Sequence, residues 1–255
     1  MGKQVLLFGG TTEGSRLFVF CRDQRIPVTL FVATPYGAQG LKIGPEAAIQ
    51  VGRLEEAAVE ARLRKGDVSL VLDATHPYAT QVTANLRAAC EKTGTVYLRV
   101  TRQLGDTAGT LQFSSCQDAA AYLATTSGNI LLTTGSRQID AFAGLVPRVF
   151  ARVLPMAQSI EACRQAGIEG RNLLCMQGPF SADFTYATLQ EFDCRFLVTK
   201  NAGRAGGYEE KIEAARRAGA QVLVIRAPEE TGLTCEQAQA YLQGLAAKER
   251  GRLDG

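Results

Sequence analysis

Leu70-Val71-Leu72-Asp73-Ala74-Thr75-His76-Pro77-Tyr78-Ala79 begins as an unbroken apolar run and ends in a cluster of polar and aromatic side chains. An apolar run without polar alternation reads as a parallel strand covered on both faces. Pro77 suits the first position of a following helix, where its missing N–H leaves nothing unsatisfied. Tyr78, Val82, Leu86, Ala89 and Cys90 then recur at helical spacing and form one apolar face. Asp73, Thr75, His76 and Tyr78 are therefore expected at the carboxyl end of a strand, the edge where open α/β sheets bind ligands. His76 is the single histidine of the chain.

The same alternation extends in both directions. Strands are predicted over 3–8, 27–33, 68–73 and 96–100, with helices over 12–23, 54–64 and 77–92. The stretch 103–115, with Gly105, Asp106 and Gly109, lacks periodicity, and a domain boundary is placed near Arg102. Beyond it, strands are predicted over 129–134, 148–153, 172–176, 195–199 and 221–226, and helices over 117–126, 137–142, 159–166, 181–192 and 208–218. Thr234 caps a last helix over 236–247, and the tail 248–255 reads as frayed. Repeated β-α-β units predict parallel sheets between helices. The expected fold is α/β: two Rossmann-like parallel-sheet domains, 1–101 and 102–228, whose strand ends face a shared cleft. Residues 229–255 form a helix and tail whose docking the pattern leaves open.

With 255 residues, 46% of them apolar, the chain has ample material for such cores. A net charge of +3 does not by itself imply nucleic-acid binding. No stretch of about eighteen apolar residues marks a membrane span, and Val5-Leu6-Leu7-Phe8 is too short for a signal-peptide core. Seven scattered cysteines without a C-x-x-C pair, together with one histidine, offer no metal-ligand cluster. They read as free buried thiols of a cytoplasmic protein.

Three strand ends run into small hydroxyl and glycine residues. Gly9-Gly10-Thr11-Thr12-Glu13-Gly14 lets backbone N–H groups approach an anion at a helix N-terminus. Its adjacent glycines depart from G-x-G-x-x-G, and the alternative is a tight turn with no ligand. After the second strand, Val32-Ala33-Thr34 lacks the acid expected to hold an NAD ribose, which favours NADP or another binding mode. Arg53 could meet a 2′-phosphate or be a solvated surface charge. Thr134-Gly135-Ser136-Arg137 is a second anion candidate, with Arg137 suited to forked recognition. In Lys200-Asn201-Ala202-Gly203-Arg204-Ala205-Gly206-Gly207, Lys200 follows a buried strand and, with Lys211, could bind phosphate or carboxylate. Arg99 and Arg102 either face a polyanionic ligand or cap the domain junction. His76 either contacts substrate or is a structural cap; its near-neutral reference pKa permits proton donation.

Taken in order, several of these segments resemble the precorrin-6A reductase family, including its cobalt-precorrin-6A branch. They are Phe8-Gly9-Gly10-Thr11-Thr12-Glu13-Gly14, Ala33-Thr34-Pro35-Tyr36-Gly37, Gly52-Arg53-Leu54, Asp73-Ala74-Thr75-His76-Pro77-Tyr78-Ala79, Tyr97-Leu98-Arg99, Thr134-Gly135-Ser136, Lys200-Asn201-Ala202-Gly203 and Glu210-Lys211-Ile212. The resemblance covers nearly the whole chain, and Ala202 departs from it where serine is expected. It implies a cobalamin-pathway oxidoreductase that reduces one double bond of precorrin-6A, or its cobalt form, to precorrin-6B with NADPH or NADH, leaning to NADPH. On that reading Gly9, Gly10, Thr11, Thr12, Glu13, Arg53, Thr134, Gly135, Ser136 and Arg137 hold the cofactor. Thr75, Lys200, Asn201, Gly203, Gly207 and Lys211 hold the carboxylate-rich tetrapyrrole, and Asp73, His76 and Tyr78 face the reacting ring. Transient contact with other enzymes of the pathway is a further expectation; nucleic acid and membrane are not.

Two other readings stand beside it. One is a different Rossmann-like reductase or nucleotide-sugar enzyme, although no predicted helix carries the Tyr-x-x-x-Lys pair of short-chain dehydrogenases. The other is a non-catalytic nucleotide sensor.

Overall fold

The computed structural model describes residues 3–203 and 206–253, with side chains as far as 248. Arg204 and Ala205 of the glycine-rich turn, and the last two residues of the tail, lie outside the described residues. The chain divides into two compact units. One runs to Gln103 and resumes at Pro228; the other is Leu104–Ala227.

The first unit contains β1 (Gln4–Phe8), α1 (Thr12–Asp23), β2 (Val28–Val32), β3 (Ala47–Val51), α2 (Glu56–Leu63), β4 (Val68–Asp73), α3 (Thr80–Thr93) and β5 (Val96–Arg99). Its sheet is parallel throughout, in the order β3-β2-β1-β4-β5. The central strands are apolar on both faces because helices cover both. Val5 and Leu7 point to a core built with Leu17, Phe18 and Cys21 of α1. Leu6 and Phe8 point the other way, onto Val59 and Leu63 of α2 and Leu86 and Ala89 of α3. This is the period-two alternation of a strand buried on both sides.

The second unit contains β6 (Leu111–Phe113), α4 (Cys116–Ala124), β7 (Asn129–Leu132), β8 (Val149–Val153), α5 (Ala157–Gln165), β9 (Leu173–Cys175), α6 (Ala182–Glu191), β10 (Cys194–Lys200), α7 (Tyr208–Ala218) and β11 (Gln221–Ile225). Its parallel sheet has the order β6-β11-β10-β7-β8-β9. Ser115 and Ser181 cap α4 and α6 by accepting Asp118 and Phe184 N–H, each at 3.1 Å.

The last helix, α8 (Cys235–Leu253), returns to the first unit, where Cys235, Ala238 and Leu242 join the α1 side of the core. Thr234 caps it in a reciprocal box: Gln237 N–H donates to Thr234 Oγ1 (3.2 Å) and Thr234 N–H to Gln237 Oε1 (2.9 Å).

Several details differ from expectation. The helix continues through most of the tail that reads as frayed. The strands β3 and β6 had no counterpart in the sequence pattern. Both are edge strands, and β3 is mostly exposed, so neither needs a continuous apolar run. The expected helix over 137–142 is a 3-10 segment, Ile139–Leu145. Pro77 does not open α3, which starts at Thr80: Ala79 N–H closes a turn onto His76 O (2.8 Å) before the helix begins. Among the cysteines, Cys175 is exposed and the other six are buried. Burial raises the Cys21 thiol to about 12 and Cys90 to about 11, so they are packing groups.

Candidate functional site

In each unit the strand order reverses between two neighbouring central strands, and the turns beyond them flank the crevice where such sheets bind ligands. In the first unit these strands are β1 and β4; in the second they are β7 and β10. The sequence-predicted turns therefore arrive in pairs.

On the first unit, the 9–14 turn is stitched to the turn after β4. Thr11 Oγ1 donates to Ala74 O (2.6 Å) and accepts Gly14 N–H (3.1 Å) as the cap of α1. Gly14 lies against Gly9, such that a Cβ on Gly14 would stand 2.9 Å from Gly9 Cα. Gly10 differs: its φ is +97° and the space above it is open. Thr12 is exposed. Thr11 and Glu13 require correction as ligand groups. The Thr11 hydroxyl is used by the fold, and Glu13 is ion-paired to Arg102 at 2.7 Å, both largely buried. Arg53 is exposed just past β3, whose last residue Val51 pairs with Val32 at the end of β2.

Asp73 also needs correction. It was expected to face a reacting ring, yet it is 0% exposed. Its Oδ1 accepts Thr75 N–H (3.0 Å), Thr75 Oγ1–H (2.7 Å) and Arg99 Nη1–H (2.7 Å). Its Oδ2 accepts Thr83 Oγ1–H and Tyr97 O–H, each at 2.8 Å. Burial, then the Asp73 charge, push the Tyr97 phenol well above its usual range, so it stays a donor. Arg99, 3% exposed, spans Asp73 and Glu230 (2.8 Å), and its Nη1 also donates to Thr75 Oγ1 at 3.1 Å. Arg99 and Arg102 are thus internal partners of carboxylates, and Thr75 belongs to the same network.

This network holds the base of the turn that carries His76 and Tyr78, both only half-buried. Their rings lie 5.4 Å apart, and His76 Nδ1 accepts Tyr78 N–H at 3.4 Å.

On the second unit, Thr133 N–H donates to Val198 O (2.9 Å), which sets the 134–137 turn beside the end of β10. Gly135 has φ +79° and open space above it. Thr134 Oγ1 is buried and has no partner among the described residues, an orphan that a ligand oxygen would satisfy. Ser136 Oγ is bonded to Ser159 Oγ (3.1 Å), and Arg137 is exposed. The Lys200 ammonium is lowered, chiefly by burial and further by the Arg137 charge, while Cys116 opposes the shift.

Asn201 is a correction. Its Oδ1 accepts Gly105 N–H (2.9 Å) and its Nδ2 donates to Gly105 O (2.7 Å), so it clamps a loop rather than a ligand. Gly203 and Gly207 supply left-handed backbone, with φ of +65° and +64°, in the approach to α7.

Lys211 Nζ donates to Gly206 O at 3.0 Å. Burial first, then the nearby Arg152 charge, lower its ammonium to about 8 against an ordinary 10.5, while Glu210 opposes them. A lysine whose folded pKa is depressed is protonated less in the folded than in the unfolded chain across that window. Stability contributed by this group therefore rises as pH goes from about 8 to 10.5. Denaturant midpoints at the two ends of the window should rise more with pH in the wild type than in Lys211→Met. Equal rises would show that Lys211 is not depressed.

Arg152 was passed over in the sequence. The available signal was an arginine inside the buried strand Val149–Val153.

Among the described residues, no group of three His, Cys, Asp or Glu side chains comes together as a metal site, and no helix is long and apolar enough to cross a membrane.

Comparison with known proteins shows the family. Residues 4–245 match the family model described as precorrin-6x reductase CbiJ/CobK, a span that crosses both units. The chain belongs to that family. Within it, the cobalt-precorrin-6A reductase of Salmonella typhimurium is 35% identical over 230 residues, 88% of this chain and 87% of the relative. The cobalt-precorrin-6A reductase of Priestia megaterium is 31% identical, over 88% and 90%. The precorrin-6A reductase of Rhodococcus erythropolis is 30% identical, over 88% and 89%. A solved CobK precorrin-6A reductase structure superposes with a TM-score of 0.74 at 27% identity, covering 95% of this chain and 97% of that one. The family consists of oxidoreductases of cobalamin biosynthesis with two parallel-sheet α/β domains, as the sequence implies.

Proposed function

We propose that this chain reduces one double bond of the precorrin-6A macrocycle, metal-free or cobalt-loaded, to precorrin-6B, with a reduced nicotinamide as hydride source. The observation that carries this reading is the family match across both units, residues 4–245. The strand-end turns fit an anionic dinucleotide. Gly10 and Gly135 leave room for phosphate oxygens, and the orphaned Thr134 hydroxyl is a ready donor. When bound, the nicotinamide supplies the hydride; the protein supplies position and electrostatics.

The chain's own residues divide the work as follows. Gly10, Thr12 and the turn of Gly135 bind phosphate. Arg53, beside a β2 end without an acid, receives a 2′-phosphate and favours NADPH. Lys200, Arg137 and Lys211 meet carboxylates of the substrate. Asp73, Thr75 and Arg99 act as positioning residues for the turn of His76. His76 contacts the substrate, and Tyr78, its ring 5.4 Å away, packs beside it.

The test is nicotinamide oxidation with NADPH and NADH against metal-free and cobalt-loaded precorrin-6A in parallel. Turnover with one pairing fixes cofactor and substrate form. No turnover from folded, nucleotide-binding protein would favour the sensor. In the active pairing, His76→Ala should lower kcat/KM at least about tenfold, roughly 1.4 kcal/mol. An unchanged kcat/KM would make His76 a structural cap.

A further inference from the structure

All five residues of β8 are buried, and four of them are apolar. The fifth, Arg152, is 6% exposed. It pairs with Leu174 of β9, and its neighbour Ala151 pairs with Leu132, the last residue of β7. Arg152 is therefore the penultimate residue of β8, near the carboxyl end of the strand. A buried arginine ordinarily meets a carboxylate. Among the described residues none lies within ion-pair distance of this one. Its one hydrogen bond among the described residues is Nη1 to Thr185 Oγ1 at 3.3 Å, and its Cζ lies over the Phe180 ring, 4.2 Å from the centroid. A five-donor fork with one neutral partner, held on an aromatic ring, is pre-organised for a planar anion.

Lys211 is the neighbouring cation, and Arg152 helps depress its ammonium. Glu210 opposes that shift, and its buried Oε2 has no partner among the described residues. The cluster thus holds two cations and one carboxylate. Leucine or valine in β8 would pack without the cost of burying a charge.

We propose that Arg152, with Lys211 beside it, forms a carboxylate subsite on the second unit that seats one acid side chain of the macrocycle. This rests on the reductase reading. The planar fork matches a carboxylate in two parallel hydrogen bonds. The Phe180 and Phe184 rings, stacked 5.0 Å apart, give the adjoining wall an apolar character that suits the arm of such a side chain. A cofactor phosphate is the other anion of this chemistry, and the glycine turns already offer it backbone N–H groups.

The test compares wild type, Arg152→Met and Arg152→Lys as full-length protein. Measured quantities are KM for the macrocycle at saturating NADPH, Kd for NADPH alone, the denaturant midpoint, and Kd for uroporphyrin, an octacarboxylate porphyrin, by fluorescence titration. The expected result for Arg152→Met is a rise of at least about tenfold in macrocycle KM and porphyrin Kd. Arg152→Lys should be intermediate, NADPH Kd should stay within about twofold, and the midpoint should not fall. Unchanged KM would overturn the subsite, as would a rise confined to NADPH Kd. A fall in midpoint with unchanged affinity would make Arg152 structural. If wild type turns over neither macrocycle, the reductase reading fails and the porphyrin titration alone decides the subsite. Arg152-dependent binding supports it; absent or unaltered binding overturns it.

Discussion

Asp73→Ala is expected to destabilise the first unit by about 3–5 kcal/mol, the range for removing one partner of a buried ion pair. Five donor groups lose their acceptor at once: Thr75 N–H and Oγ1–H, Arg99 Nη1–H, Thr83 Oγ1–H and Tyr97 O–H. Among the described residues the Arg99 guanidinium would keep only Glu230 as an ion-pair partner, in a site where its side chain is 2% exposed. Against a total of about 5–15 kcal/mol for a domain, this is a large fraction. The measurement is denaturant unfolding of wild type, Asp73→Ala, Arg99→Ala and the double variant. The double variant should cost little more than either single one, because the same interaction is removed in each. A folded Asp73→Ala protein of wild-type stability and lost kcat would return Asp73 to the reacting ring. The burial that makes Asp73 a poor chemical group makes it a good anchor, since a fully satisfied carboxylate holds Thr75 and the base of the His76 turn in one place.

Gly105→Ala is expected to cost the second unit about 3 kcal/mol, near the top of the range for overpacking. The added Cβ would stand 2.3 Å from Tyr208 Cδ1, a ring only 1% exposed and hemmed in by the core beneath α7. The backbone cannot step away, because Asn201 holds both the N–H and the C=O of Gly105. Asn201→Ala should relax that clamp, so the pair of substitutions should cost less than the sum of the two. Additive costs, or a Gly105→Ala midpoint equal to wild type, would show that the loop yields without the ring. Asn201 as a ligand residue would behave otherwise: its loss would raise KM and leave the midpoint in place.

Much of the architecture was legible in the residues. The runs Val5-Leu6-Leu7-Phe8 and Leu70-Val71-Leu72 announce strands covered on both faces, and β4 and α7 fall where the pattern places them. Glycine and hydroxyl residues after β1, β7 and β10 mark the ligand-prone edge, because only such residues allow close backbone approach there. The edge strands β3 and β6 are not legible, whereas β5 and β9, also at sheet edges, are; one covered face does not demand an apolar run, as β3 shows. For the candidate site, residue type and position along a strand were readable, but the destination of each side chain was not. Asp73, Thr75, Asn201, Thr11 and Glu13 have the chemistry of ligand contacts, yet each is bonded within the protein to a group distant in sequence or one turn away. Partners such as Arg99, 26 positions on from Asp73, and Glu230, 131 on from Arg99, meet only when the sheet closes and the last segment returns to it. Local pattern governs which backbone is strand or helix, because periodicity acts over a few residues. Which polar group is committed to a partner and which remains available is decided by packing across the whole unit, as Arg152 demonstrates, its hydrogen bond among the described residues being to the neutral Thr185 hydroxyl.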